Sequence, residues 1–216
     1  MAGSHICTPL GRPPFRKPSS LLYYQDGPPH AVDIDTWRLN VRGLVQRPLS
    51  LTYADVQRLP RVTMNRRTVC VCNWSVRHDY GGVLLKDVMA LASPFETAHD
   101  SFLRQESMGT AEKGTYASTV RLGPALERAA LLCDTIDGRS LSLERGFPLR
   151  FIDFGLYLYK CVKGLSCLEL TTTWELGEWE ARAGYPLDGT IKPKKYWICD
   201  LEDRRLATTP GEIKDF

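Results

Sequence analysis

An alternation of apolar and polar residues begins at Trp37. Leu39 and Val41 continue the apolar positions, and charged or amide residues stand between them. A period of two is typical of a strand with one buried face. Leu49 and Leu51 repeat the spacing a few residues later, so they predict the partner strand.

The next segment predicts a short helix followed by a longer strand. Thr52 stands three residues before Asp55, which is the spacing of a helix capping box, and the helix should end before Pro60. Residues 62–71 then predict a strand whose far end carries Cys70. A residue at the end of a strand is well placed for function, because loops on a rigid scaffold commonly carry binding and catalytic groups.

The pair Gly81-Gly82 is expected to separate that strand from a helix. The apolar residues behind it recur with helical spacing and are Leu84, Leu85, Val88, Met89 and Leu91. Further strands are predicted at residues 102–107, 130–133, 141–143, 149–152 and 168–172, with Asp137-Gly138 as a turn. Strands and short helices are mixed along the chain, so the predicted fold class is α+β, with mixed β-sheets.

Residues 1–30 differ from the rest of the chain. Six prolines lie between positions 9 and 29 with few aliphatic side chains, which predicts an extended arm. The 216 residues are enough for one well-buried core. We therefore predict an arm at residues 1–30 and a single domain at residues 31–216.

Charge and hydropathy limit the classes of partner that the protein is expected to bind. A net charge of +3, from 28 Lys and Arg against 25 Asp and Glu, gives no strong field for nucleic acid but permits a local basic pocket. Aromatic and basic residues mix in 174–197, yet three lysines are too few for a phosphate track. No stretch approaches the roughly 20 apolar residues of a membrane span, so we expect no membrane span.

The number and spacing of the cysteines indicate the cellular compartment of the protein. Seven cysteines, an odd number spread widely, favour a reduced, cytoplasmic protein over a disulfide-stapled one. A periplasmic location is the alternative if a signal segment was removed.

Cys70, considered alone, has several interpretations. A cysteine in a strand is commonly a small buried apolar residue. A zinc site with Cys72, Cys161 and Cys167 would have one and five intervening residues, rather than the usual two to four. A nucleophile pair with His78 would lack an identifiable third group.

Two basic segments could form a phosphate site. The first, 146–150, ends at Arg150, and the second, 159–164, contains Lys160 and Lys163. Cationic side chains beside turns with available N–H groups favour a dianion. On spacing alone, two solvated lysines and one structural arginine are the better explanation of these segments.

Taken in order, these segments resemble the molybdopterin-binding domain of the sulfite oxidase family. The resemblance covers about residues 20 to 200. The matching segments are 34–45, 48–51, Cys70-Val71-Cys72-Asn73-Trp74-Ser75, 82–88, 136–141, 146–150, 159–163 and 184–185.

The resemblance implies a mononuclear molybdenum held by one molybdopterin, with the thiolate of Cys70 as the protein ligand. The pterin and phosphate contacts that it implies are Gln25, Asp26, Ser107, Arg145, Arg150, Tyr159, Lys160 and Lys163. Arg77, His78 and Tyr80 follow the ligand in sequence and are expected to face the substrate. The implied activity is oxygen-atom transfer to or from a small sulfur or nitrogen compound that is anionic or polar. We expect a separate electron-transfer partner, because no haem or dimerisation domain fits after Phe216.

Two alternatives stay open at this stage. Asp26, Arg145 and Leu158 depart from residues common in the family, which motivates a cofactor-independent enzyme with acid–base chemistry in the vacated pocket, using His78, Asp79, Tyr80 or Arg145. A non-enzymatic binding module on the same fold is the other, since fold does not determine function.

Overall fold

The computed structural model describes residues 31–109 and 115–214. The predicted arm at residues 1–30, with Gln25 and Asp26, lies outside the described residues. The strands are β1 Leu39–Gly43, β2 Leu49–Leu51, β3 Arg61–Cys70, β4 Trp74–Leu84, β5 Phe102–Ser107, β6 Ala117–Arg121, β7 Leu131–Ile136, β8 Arg139–Ser140, β9 Arg150–Ile152, β10 Leu165–Thr171, β11 Lys194–Ile198 and β12 Asp203–Ala207. The helices are α1 Tyr53–Gln57, α2 Leu85–Ala92, α3 Leu122–Glu127 and α4 Glu178–Ala183, with 3-10 helices at Glu96–Asp100 and Leu158–Lys160.

The strands form two mixed sheets. One has five strands in the order β2-β1-β10-β5-β6, in which β1 and β10 run parallel. The other has seven strands and follows the path β12-β11-β4-β7-β8, with β3 paired to β4 and β9 paired to β7. The described residues therefore have the predicted α+β architecture, with few and short helices.

The largest buried cluster contains apolar side chains from both sheets and from the helices between them. On the five-stranded sheet these side chains alternate with polar ones, as the pattern from Trp37 predicts. Its fully buried members include Leu39, Val41, Val83, Leu85, Val88, Leu103, Leu132, Phe151, Leu168 and Leu170. Two smaller clusters lie on the two faces of the β3–β4 pair, one around Val69 and Tyr196 and the other around Tyr80 and Phe154.

Several sequence predictions are confirmed at the level of elements. β1 pairs antiparallel with β2, with Leu39 opposite Leu51. The capping box at α1 is present, because the Thr52 side chain accepts from the Asp55 amide while the Asp55 side chain accepts from the Thr52 amide. Asp137 and Gly138 form the turn between β7 and β8, both with positive φ.

Two predictions about elements are wrong. Gly81-Gly82 does not end a strand, because both residues lie inside β4, which continues to Leu84. Residues 141–143 form no strand, since the chain turns there and the amides of Arg145, Gly146 and Phe147 all donate to the Ser142 carbonyl. A glycine pair inside a strand marks close backbone approach, and a Cβ on Gly82 would lie 2.1 Å from the Leu132 carbonyl oxygen of β7.

This close approach predicts different costs for two neighbouring substitutions. A Cβ on Gly81 would meet the Thr135 hydroxyl, which can rotate away, whereas a Cβ on Gly82 would meet the backbone of β7. We expect Gly82→Ala to lower the free energy of unfolding by about 3 kcal/mol and Gly81→Ala by about 1 kcal/mol. Denaturant unfolding of both variants measures the difference, and equal losses would contradict the constraint.

Candidate active site

Cys70 is the last residue of β3 and stands at the tip of a hairpin. A short turn at 71–73 leads into β4, and it closes with the Asn73 amide donating to the Cys70 carbonyl at 3.0 Å. Asn73 has φ 67°, which an Asn side chain tolerates well. The Cys70 side chain is 9% exposed, and the Cys72 amide points at its sulfur at 3.4 Å. An N–H group aimed at the sulfur favours the thiolate form.

Three cationic side chains lie on the segments next to Cys70. Arg145 is in the turn before β9, Arg150 begins β9, and Lys163 pairs with Arg150 through an isolated antiparallel bridge. Gly146 makes this arrangement possible, since a Cβ there would lie 3.1 Å from the Cβ atoms of both Arg150 and Lys163. The φ of Gly146 is +111°, a conformation that also favours glycine. The stems of Arg150 and Lys163 therefore lie side by side.

The cationic cluster of Arg145, Arg150 and Lys163 has no carboxylate partner among the described residues. Arg150 is 7% exposed, and its Nη1 donates to the Arg145 carbonyl at 3.3 Å. Its Nε is buried and makes no hydrogen bond in the part of the chain that the structure describes. Lys163 Nζ donates to the Glu144 carbonyl at 2.8 Å. Buried donors are nearly always satisfied, so the cluster has the character of an anion site.

Electrostatics link this cluster to Cys70. Burial is the main cause that lowers the pKa of Lys163 well below its ordinary value, and the positive charges of Arg150 and Arg145 lower it further. Glu144 and Cys70 act in the opposite direction and raise it. Lys163 thus interacts both with the arginines and with the thiol, and an added anion would relieve the repulsion among the cations.

Tyr80 and Thr68 line the same face of the hairpin as Cys70. The Tyr80 and Thr68 hydroxyls are 2.9 Å apart, and both side chains are buried. Burial raises the pKa of Tyr80 to about 12, although Thr68, Arg150 and Arg145 act to lower it. The hydroxyl therefore stays protonated at neutral pH.

The predicted substrate-facing residues do not follow Cys70 on a loop, because all three lie within β4. Tyr80 is opposite Met64, His78 is opposite Arg66, and Arg77 is opposite Arg67. Successive side chains in a strand point to opposite faces, so Arg77 lies on the face away from Cys70. There Arg77 Nη1 donates to Asn65 at 3.1 Å. His78 lies on the Cys70 face, edge-on to Tyr80, with Nδ1 2.7 Å from Asp137.

Tyr159 and Lys160 lie apart from the cationic cluster, on the 3-10 helix Leu158–Lys160. Lys160 is fully buried, where its Nζ donates to the Thr119 carbonyl at 2.9 Å and forms an ion pair with Glu180. Burial lowers the pKa of Lys160, against the raising effect of Glu180. The Tyr159 hydroxyl donates to the Pro186 carbonyl at 2.6 Å. Both side chains anchor the 3-10 helix Leu158–Lys160 and do not join the cationic cluster.

Ser107 ends β5 close to the other side of the Lys163 segment. It pairs with Leu165, and the adjacent Met108 amide donates to the Gly164 carbonyl at 2.8 Å. The Ser107 hydroxyl accepts from the Tyr116 amide at 2.9 Å. Ser107 thus lies on a segment that touches the site loop, with one lone pair of its hydroxyl already used.

The cysteines do not support the zinc alternative. No group of three or more metal-ligating side chains is present among the described residues. Cys161 and Cys167 are buried free thiols on different segments, and burial raises the pKa of each to about 11. The expectation of a wholly reduced chain is wrong for Cys199, which is disulfide-bonded.

A thiol at a hairpin tip beside an unneutralised cationic cluster is an arrangement that suits an anionic group with a thiolate ligand. Comparison with known proteins gives the family. Residues 26–179 match the family described as "Oxidoreductase molybdopterin binding domain". The "Uncharacterized oxidoreductase YuiH" of Bacillus subtilis (strain 168) is 33% identical over 162 residues, which are 74% of this chain and 78% of that protein.

A solved structure shares the fold. The sulfane dehydrogenase SoxCD from Paracoccus pantotrophus matches 83% of this chain with a TM-score of 0.61 and 18% identity, and the match spans 46% of that chain. This chain belongs to the sulfite oxidase-like family of molybdopterin-binding oxidoreductases. No helix in the described ranges is long and apolar enough to cross a membrane.

The residues present fit the cofactor that the family implies. Molybdopterin carries a phosphate, and the buried Nε of Arg150 offers a donor that no described residue satisfies. A soft thiolate is a suitable ligand for molybdenum, and Cys70 is the cysteine that lies beside the cluster. The soft thiolate of Cys70 and the unsatisfied donor of Arg150 therefore both fit a phosphate-bearing molybdenum cofactor.

Sequence reasoning missed Thr68 and Asp137. Thr68 precedes Cys70 by two residues and so shares its face, which strand alternation alone could have shown. Asp137 was recognised only as a turn residue, because its contact with His78 spans 59 residues of sequence.

The buried Lys160–Glu180 pair generates a stability prediction. Lys160→Met leaves the Glu180 carboxylate buried without its cation, which costs about 3 kcal/mol in the free energy of unfolding. The double variant Lys160→Met/Glu180→Leu removes both charges and should recover most of this loss. Thermal and denaturant unfolding measure both variants, and a single variant as stable as the parent would contradict a structural role for Lys160.

Proposed function

We propose that this protein is a molybdenum-cofactor-dependent oxidoreductase that transfers an oxygen atom to or from a small sulfur or nitrogen compound. The observation that carries the proposal is the position of Cys70 beside a cationic cluster in which Arg150 Nε is buried and has no hydrogen bond from the described residues. When bound, the cofactor would supply a metal centre that cycles by two electrons. Cys70 holds the metal as its thiolate.

The cationic cluster binds the anionic end of the cofactor in this proposal. Arg150 and Arg145 supply guanidinium donors, which suit phosphate because they can bind two oxygens at once. Lys163 neutralises charge between the phosphate and the thiolate. Gln25 and Asp26 stay predicted contacts from the arm.

Ser107, Tyr159 and Lys160 contribute to the cofactor pocket by holding its wall. The Lys160 carbonyl accepts from Gln105 at 3.1 Å, and the Val162 amide donates to Gln105 at 3.3 Å, so one buried side chain of β5 fixes the segment that delivers Lys163. Lys160 and Tyr159 anchor the same segment from its other side. Arg77 lies on the opposite face of the hairpin, where it donates to Asn65, and it is not assigned to the substrate side.

The substrate side is assigned to His78 and Tyr80, which share the Cys70 face. A positive cluster beside them favours a small anionic or polar substrate. The sulfur chemistry in the name of SoxCD supports a sulfur compound as the first substrate class to test. Electrons pass to or from a separate redox protein, and the Cys199 disulfide fits the periplasmic alternative, because the cytosol keeps thiols reduced.

Cofactor content tests this proposal directly. The protein is expressed in a host with active molybdenum-cofactor synthesis, and metal is measured by mass spectrometry and pterin by the fluorescence of its oxidised form. We expect both in stoichiometric amounts. Cys70→Ser should lose most of the metal, and Arg150→Gln should retain pterin about 10- to 100-fold more weakly, because it loses a charge-assisted hydrogen bond.

Arg58→Gln is the matched control, since Arg58 is an exposed arginine that follows the last residue of α1 and pairs with Asp55. It should keep the metal and pterin content of the parent. Parent protein without molybdenum or pterin would refute the proposal. Activity retained by metal-free Cys70→Ser would establish the cofactor-independent alternative instead.

A further inference from the structure

His78 and Asp137 form a hydrogen-bonded pair on the Cys70 face. His78 Nδ1 is 2.7 Å from Asp137 Oδ2, and the His78 side chain is 21% exposed. The other oxygen of Asp137 accepts from the Asp79 amide at 3.0 Å. The Asp137 amide in turn donates to the Asp79 carbonyl at 2.8 Å. Two hydrogen bonds between Asp137 and Asp79 therefore hold the β7–β8 turn against β4.

The geometry determines which ring nitrogen carries the proton. An ionised carboxylate only accepts hydrogen bonds, so Nδ1 must donate and neutral His78 has its proton there. Nε2 then stays available, and it makes no hydrogen bond to any described residue. Burial alone would raise the pKa of Asp137, but the Asp79 amide, the His78 ring and nearby Arg145 outweigh it and lower that pKa. Asp137 therefore remains ionised.

The pair is connected to the interior of the site. The His78 ring packs edge-on against Tyr80, with 5.8 Å between ring centroids. The Tyr80 hydroxyl is 2.9 Å from the Thr68 hydroxyl. Thr68 is two residues from Cys70 on the same face, which is about 7 Å along a strand. The His78 imidazole, the Tyr80 hydroxyl and the Thr68 hydroxyl therefore lie on the same face of the hairpin as the Cys70 thiol.

The other charged groups around His78 are few. Arg66 lies opposite His78 on β3. The Nη1 of Arg66 donates to both carboxylate oxygens of Glu212, each at 2.9 Å. The Asp79 side chain accepts from Asn65 at 2.6 Å. Arg145 is the cation that acts on both Asp137 and Tyr80. Asp137 is thus the one carboxylate in the described chain that binds the imidazole directly.

Oxygen-atom transfer requires such a route for protons. For an acceptor X the balanced reaction is X + H2O → XO + 2 H⁺ + 2 e⁻, with the electrons leaving to a one-electron redox protein. Every turnover therefore releases or takes up two protons inside the site. We infer that Asp137 is a positioning residue that fixes His78 with Nε2 available, and that His78 and Tyr80 carry protons between the Cys70 face of the hairpin and solvent. This role rests on the proposed function.

The first experiment tests the positioning and does not depend on turnover. The ¹⁵N shifts of the ring nitrogens report which one is protonated, and His78→Gln assigns the signal among the four histidines. We expect the proton of neutral His78 on Nδ1. Asp137→Asn should move it to Nε2, because the Asn oxygen keeps the Asp79 amide while the NH2 group that replaces Oδ2 can only donate to Nδ1. Asn also tolerates the positive φ of 52° at this position.

Asp79→Asn is the matched control for the positioning. It removes the same charge one residue from His78 without touching the ring, so the tautomer should not change. A proton on Nε2 in the parent, or on Nδ1 in Asp137→Asn, would overturn the positioning role.

The second experiment tests the proton route. Loaded protein is reduced with dithionite and oxidised with ferricyanide, and proton release is followed with a pH indicator. We expect His78→Gln, Tyr80→Phe and Asp137→Asn to slow proton release roughly tenfold or more, with unchanged metal and pterin content. Release at the parent rate would overturn the route. Parent protein without metal would refute the proposed function instead, while the ring-nitrogen measurement would still decide the role of Asp137.

Discussion

The antiparallel register between β3 and β4 is the constraint on which the site depends. It places Cys70 opposite Trp74 at the tip and Met64 opposite Tyr80 further along. Because side chains alternate, a slip of β3 by one residue would turn Cys70 and Thr68 away from the face that His78 and Tyr80 occupy. The register is held from both sides, since Val69 packs into one cluster and Tyr80 into another. Gly82 adds a third restraint, as only a glycine admits the β7 carbonyl so closely.

The second determinant is a concentration of positive charge that the chain does not neutralise. Two other arginines, fully buried Arg67 and half-buried Arg128, have carboxylate partners in Asp200 and Asp153. Arg150 is 7% exposed but donates only to a carbonyl. Burying a cation without a counter-ion is costly, so the cost must be offset by something that binds there. In the proposed function a cofactor phosphate offsets this cost, which would account for the unsatisfied Nε of Arg150 beside Lys163.

Local rules predicted those parts of the fold that depend on neighbours in sequence. The β1–β2 pair, the capping box at Thr52 and the strand that carries Cys70 all follow from alternation or from contacts three residues apart. The errors have a common physical cause. Gly81-Gly82 suggested a break because the approach of β7, some fifty residues later, is invisible in the sequence. The Asp137–His78 contact and the face occupied by Arg77 likewise depend on strand pairing, which only the assembled sheet shows.

Lys160 and Lys163 show the same limit within four residues of sequence. Both stand in one basic segment, and composition gives no reason to distinguish them. The 3-10 helix ends at Lys160 and the chain then extends, so the two side chains leave the segment in different directions. Lys160 enters a space where Glu180 and the Thr119 carbonyl satisfy it, and Gly189 leaves room for its stem. Lys163 instead meets Arg150 and Arg145, which repel it. Lys160 is therefore satisfied by the fold itself, whereas Lys163 is the cation that the proposed function assigns to the ligand.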